Sequence, residues 1–161
     1  MRTSEPMGDT NLFEAEFEYD EADPAGYRSG VADVGRIAGG RAHTVKVYEV
    51  PPGQSNCPYH YEYEEEWLAV LDGSLTLRSP DGEATLRRGA LVCFPPGRAG
   101  AHQVSNRGER TAIVMMWSSS REPAVAVYPD SDKIGVWPGG DGDELMLRRS
   151  DGAVDYWDGE A

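Results

Sequence analysis

The feature that most constrains the fold is the rhythm of turns through the middle of the chain. Trp67 to Leu71 is apolar and stops at Asp72-Gly73, and Ser74-Leu75-Thr76-Leu77-Arg78 alternates before the turn residues Ser79-Pro80-Asp81-Gly82. Ala84 and Leu86 resume the alternation ahead of Arg88-Gly89, and Ala90 to Phe94 ends at Pro95-Pro96-Gly97. Ala101 to Ser105 closes on Asn106-Arg107-Gly108, and Thr111 to Trp117 is apolar throughout, as a strand covered on both faces would be. Period-two runs bounded by Gly, Pro and Asn are strands joined by tight turns. Counting the flanking segments there are roughly eight to ten of them, and a sheet of that many strands closes or doubles to hide its edges. The expectation is therefore an all-β sandwich or barrel.

A chain of 161 residues suits one such core and is too short for two. We expect a frayed segment at 1–10, a barrel over 11–128 and an irregular C-terminal extension over 129–161. Phe13, Ala15, Phe17 and Tyr19 alternate with Glu14, Glu16 and Glu18, which predicts an edge strand with one charged face, or an arm laid on a partner subunit. Asp23-Pro24-Ala25-Gly26 breaks it, and strands are expected near 31–37 and 42–50. Beyond Pro129 the composition turns rich in Gly and Asp, with a last strand near Leu145 to Arg148.

The charge narrows the partners. With 28 acidic against 15 basic residues the formal charge is −13, so the surface repels phosphate backbones and anionic lipid. Nucleic acid and membrane are excluded as expected partners. No apolar stretch approaches membrane-spanning length and the N-terminus has no signal-peptide core, so the expected location is the cytoplasm. Cys57 and Cys93 form no CxxC pair. Cys93, inside LVCF, reads as a small buried hydrophobe, and Cys57 as a packing residue or, less readily, a reactive or ligating thiol.

The chemistry concentrates in residues 58 to 73, PYHYEYEEEWLAVLDG. Residues two apart in a strand share a face, so His60 and Glu62 project together. Glu66 opens a strand whose own face carries Leu68 and Val70, placing a carboxylate among barrel-filling apolar residues, where it needs a cation, a proton or several donors. His102 shares its face with Val104 and should also point inward. Tyr59 and Tyr61 face the other way and take a packing role, Glu64 and Glu65 read as solvated charges at a turn, and His43 reads as structural.

In this arrangement the chain resembles the cupin superfamily of small β-barrels. The first cupin motif is matched by Gly53, His60, Glu62, Glu66 and Gly73, and the second by Gly89, Pro95, Gly97, His102 and Asn106, across roughly Val45 to Trp117. Two departures stand out: Glu62 replaces the second histidine of the usual pair, and the loop from Gly97 to His102 is longer, which should alter only the rim of the barrel. The resemblance implies a double-stranded β-helix (jelly-roll) barrel with an N-terminal strand arm and a C-terminal extension. It also implies one divalent metal ion per chain held by His60, Glu62, Glu66 and His102. Two carboxylates with two imidazoles favour manganese or iron, with zinc or nickel also able to bind. The function implied is that of a metal-dependent enzyme acting on a small oxygen-bearing substrate, as a dioxygenase, isomerase, decarboxylase or lyase. The alternative is a non-catalytic cupin that binds or senses a small molecule. If Glu62 does not ligate, it is the candidate general base. A homodimer with its arms exchanged or draped is expected, because cupins commonly pair through sheet edges and the aromatic residues Phe13, Phe17, Trp137 and Trp157 require cover.

Overall fold

The computed structural model describes residues 8–160; the frayed segment expected at 1–10 lies outside the described residues up to residue 7. Twelve strands and two short helices follow in order: β1 (Gly30–Ala32), α1 (Val34–Ile37), β2 (His43–Val50), β3 (Tyr61–Glu62), β4 (Glu66–Asp72), β5 (Ser74–Ser79), β6 (Gly82–Arg87), β7 (Leu91–Phe94), β8 (Gln103–Ser105), β9 (Ala112–Ser119), β10 (Ala124–Tyr128), β11 (Lys133–Trp137), β12 (Leu145–Arg148) and α2 (Arg149–Gly152). The turn residues of the central segment end strands where the sequence places them. Gly73, between β4 and β5, has φ of 76°, and a Cβ there would lie 3.0 Å from Ala112 Cα. Only glycine satisfies both requirements.

One wall is a five-stranded sheet in the order β1-β2-β9-β4-β7. The other combines the sheet β12-β11-β10-β3 with the sheet β6-β5-β8, joined by two antiparallel bridges, Ser55 with Ser105 and His60 with His102. All strand pairs are antiparallel, as a jelly roll requires. Between the walls, Val50, Leu68, Val70, Leu75, Leu77, Leu86, Phe94, Val104, Ala112, Val114 and Met116 form the core.

The registers arrange the interior in rows. Thr44, Ser118, Glu66 and Phe94 lie side by side across β2, β9, β4 and β7; Lys46, Met116, Leu68 and Val92 form the next row down; Tyr48, Val114 and Val70 the third. β2, β9 and β4 thus change from polar at the mouth to apolar toward the floor, while β7 is apolar in both of its rows. The floor is fixed by burial, and the polar residues collect at the open end.

Several expectations are corrected. Residues 31–37 are a strand only to Ala32, because the Asp33 side chain accepts from Arg36 N–H at 3.0 Å and caps the one-turn helix α1. The alternating segment from Phe13 to Tyr19 pairs with the sheet at a single bridge, Glu18 to Val31, while Leu12, Ala15 and Phe17 pack on Val47 and its neighbours. Cys93 is exposed, not buried: β7 is an edge strand whose Val92 and Phe94 face the core, which turns Leu91 and Cys93 outward. Tyr61 does pack away from the cavity, with Tyr59, Ala101, Val127 and Ile134. Past residue 128 the sheet continues, β11 pairing with β10 and β12 with β11. The Arg78 guanidinium fixes this addition to β5 through a bidentate pair with Asp130, at 2.5 and 3.0 Å, and lies over the Tyr59 ring. Among the described residues, no helix is long and apolar enough to cross a membrane.

Candidate metal centre

His60 and His102 are cross-strand partners, the N–H of each donating to the carbonyl of the other at 3.1 and 2.8 Å. Their backbones set the two rings side by side, with centroids 4.7 Å apart. Each ring is then fixed by its Nδ1–H, which donates to a backbone carbonyl: His60 to Pro58 at 3.0 Å and His102 to Gly100 at 2.8 Å. That bond settles the tautomer, leaving Nε2 of each ring as a lone pair. Phe94 stacks on His102 with centroids 3.6 Å apart, and Tyr128 lies against His60.

Both lone pairs face Glu66. Its Oε2 is 3.7 Å from His60 Nε2 and 3.7 Å from His102 Nε2, beyond hydrogen-bond distance. Burial pushes the Glu66 carboxyl up to about 8, helped by the charge of Glu62. Burial also lowers both imidazoles, His102 to about 3, with His60 adding to the effect. Neither ring therefore carries a second proton to offer the carboxylate.

The donor set fits a cation. His102 Nε2 is fully buried and has no hydrogen-bond partner among the described residues, an orphaned acceptor that costs free energy until something electron-poor meets it. One donor atom from each of His60, Glu66 and His102 lies within 4.8 Å of the others. Two nitrogens and a carboxylate oxygen converging from three segments are a donor set that would hold a divalent transition metal.

The fourth sequence-derived candidate, Glu62, lines the same cavity as His60 and Glu66 but contributes no oxygen to the three-atom group. Its carboxyl is raised by burial and by Glu64, and partly pulled back down by Lys46. Cys57 Sγ lies 3.6 Å from His60 Nδ1, on the ring edge away from Glu66, so its thiol backs the histidine and is outside the donor group. Burial raises that thiol far above its ordinary range.

The cavity has a volume of about 480 Å³, and its walls hold residues that the sequence reading passed over. Lys46 and Tyr48 enter it from β2, and Tyr128 from β10. Glu64 is half-buried there and accepts a hydrogen bond from Ser119, a correction to the solvated turn charge expected of it. The lengthened loop is also more than a rim: Arg98–Gly100 forms a single 3-10 turn that delivers the Gly100 carbonyl to His102. A Cβ on Gly100 would fall 1.9 Å from the Pro95 carbonyl oxygen, so the turn has no room for a larger residue. His43 is exposed and takes no part.

With this geometry in place the chain can be classed as a jelly-roll barrel with a metal-type donor cluster at its mouth. Residues 46–118, the barrel-forming part of the chain, match the family described as the cupin domain. Among solved structures the chain is similar to a protein provisionally called a sugar phosphate isomerase from Acidithiobacillus ferrooxidans, at 25% identity and TM-score 0.75, covering 88% of each chain. It is also similar to a cupin sugar phosphate isomerase from Silicibacter pomeroyi, at 21% identity and TM-score 0.77, covering 92% of this chain and 97% of that one. A polyketide cyclase from Streptomyces resistomycificus shares the fold at 20% identity and TM-score 0.61, over 74% of this chain and 84% of that one. A comparison with curated proteins returns no match.

Proposed function

We propose that the protein is a metal-dependent enzyme of the isomerase type that acts on a small oxygen-bearing substrate, with one divalent ion per chain held by His60, Glu66 and His102. The observation that carries this reading is the orphaned, fully buried Nε2 of His102, aimed with His60 Nε2 at one oxygen of Glu66. When bound, the ion supplies Lewis acidity toward a carbonyl or hydroxyl oxygen of the substrate. A mixed set of hard oxygen and imidazole donors favours manganese or iron, with zinc or nickel able to compete.

Glu62 is assigned the proton transfers. It faces the cavity, stands outside the three-atom donor group, and its raised carboxyl is poised to take a proton from one substrate carbon or hydroxyl and return it to the next. Tyr48 and Tyr128 keep their phenolic protons, Tyr128 being raised to about 12 by burial, and so can donate to substrate oxygens. The apolar rows beneath exclude water from the reacting atoms. Movement of a proton between neighbouring oxygen-bearing carbons is the chemistry such a set performs, and the similarity to the protein provisionally called a sugar phosphate isomerase supports it. The reading includes a cytoplasmic homodimer.

The test is metal analysis of protein purified without added ions, followed by assay of hydroxy-carbonyl compounds and their isomers. Near-stoichiometric metal and interconversion of at least one pair are expected. Metal without turnover of any compound would favour a binding or sensing cupin, and absence of metal from the wild-type protein would remove the proposal.

A further inference from the structure

Lys46 sits where the barrel is otherwise apolar. It lies in the second interior row, level with Met116 and Leu68, one step below the row of Thr44, Ser118 and Glu66. Met116 and Leu68 are buried, and Lys46 itself is half-buried and lines the cavity. Lysines are rarely drawn below the surface without a counter-charge. Among the described residues the Lys46 ammonium has neither a hydrogen bond nor an ion pair, although its charge is felt by Glu62. An internal ion pair with Glu62 would have met the need of both groups, and the two do not make one.

The surroundings of Lys46 suit an anion. Thr44, Ser118 and Ser120 bring hydroxyls to the same cavity, Thr44 and Ser120 being 3.0 Å apart, and Arg121 adds a second cation at the exposed mouth. Such donors match the oxygens of a phosphate or carboxylate. Resting on the reading of this cavity as a substrate site, we infer that Lys46 is the specificity residue for an anionic group, so that the substrate carries a phosphate or carboxylate as well as the oxygen presented to the metal centre.

The substrate is then a small hydroxylated acid or phosphate ester whose two ends are recognised separately. The donor triad takes the reacting end, and β2 with the hydroxyls of β9 and its following residue takes the charged end. An uncharged sugar or ketone would leave Lys46 without a partner and would bind more weakly. Lys46 thereby sets which molecules are admitted and stands apart from the proton transfers.

The experiment is calorimetric titration of the metal-loaded protein with inorganic phosphate and, separately, malonate, for the wild type, Lys46→Met and Lys46→Arg, with metal content measured for each. One anion is expected to bind at one per chain. Lys46→Met should weaken it about tenfold, the loss of one charge-assisted hydrogen bond, while Lys46→Arg keeps it within about threefold. The tighter anion tells a phosphate ester from a carboxylic acid. Failure of the wild type to bind either anion, or equal binding by Lys46→Met and wild type at equal metal content, would overturn the inference, since the anion would then need only the ion. If the wild type loads no metal, that failure belongs to the proposed function, and the same titrations on the metal-free protein still decide the role of Lys46.

Discussion

His60 and His102 face each other across a backbone bridge, each donating its N–H to the other's carbonyl, and both turn Nε2 toward the same oxygen of Glu66. The main chain thus positions the imidazoles before any ligand arrives. Such preorganisation lowers the ordering cost of binding a cation. It also means that loss of one ring leaves the other correctly placed with too few donors.

His102→Ala and His60→Ala should each lose the metal on purification, and His102→Ala should do so without loss of the barrel. Elemental analysis and circular dichroism check the pair of statements. In the wild type, chelation should lower thermal stability, since an ion present at a hundred times its dissociation constant contributes about 2.7 kcal/mol. An unchanged melting temperature after chelation, together with unchanged metal content in His102→Ala, would count against the centre.

The pH dependence of metal uptake follows from Glu66. Its carboxyl is raised from 4.5 to about 8 by burial and by Glu62, so below that pH the metal-free protein holds a proton there that a cation must displace. The imidazoles add no such competition near neutrality, because burial keeps both of them neutral. Apparent affinity should therefore climb about tenfold per pH unit up to roughly pH 8 and level off above it. Near pH 7, calorimetry in buffers of different ionisation enthalpy should detect close to one proton released per ion.

Gly100 is the most sensitive backbone position near the centre. A methyl group there would meet the Pro95 carbonyl oxygen at 1.9 Å, so the 3-10 turn must move, and with it the carbonyl that orients His102. Gly100→Ala should reduce metal affinity by about tenfold, the usual scale for disturbing the group that holds a ligating histidine. Ala99→Gly, on the exposed side of the same turn, is the control and should retain wild-type affinity.

Much of this was legible in the sequence because the barrel imposes period two. The inward direction of His60, Glu66 and His102 followed from strand alternation next to apolar neighbours, and most strand ends of the central segment followed from Gly, Pro and Asn. What escaped notice did so for physical reasons. Thr44, Lys46 and Tyr48 alternate with Val45, Val47 and Glu49, and a polar face of that kind reads as solvent-facing until the registers turn it inward. Glu64 lies in a turn, where alternation carries no information, and only the fold brings it to Ser119. The outward turn of Cys93 depends on β7 being an edge strand, a property of sheet order that local sequence does not encode.

That same outer face bears on assembly. Trp67 and Trp117 stack there at 6.0 Å, Cys93 lies beside Trp67 in register, and Leu91 next along β7 is 60% exposed. An apolar row of this kind suits the proposed homodimer. Sedimentation should give twice the chain mass of 17.6 kDa, and Leu91→Asp should shift the protein toward monomer without unfolding it. A wild-type monomer at working concentration would rule the dimer out.

Asn106 offers a test of fold that leaves the metal donors untouched. It is buried; its Nδ2 donates to the Val50 and Arg110 carbonyls at 2.7 and 2.8 Å, and its Oδ1 accepts from Gly108 N–H at 2.9 Å. Its main chain also pairs with Gly53 and Gln54, so one residue ties the end of β2 to the loop before β9. Asn106→Ala would strand two carbonyls and one amide, with a cost of about 3 kcal/mol in denaturant unfolding. Asn106→Asp should cost at least as much, because it removes both donors and adds a buried charge. A loss below about 1 kcal/mol in both variants would mean that water replaces the amide and that this position is not the clasp the geometry indicates.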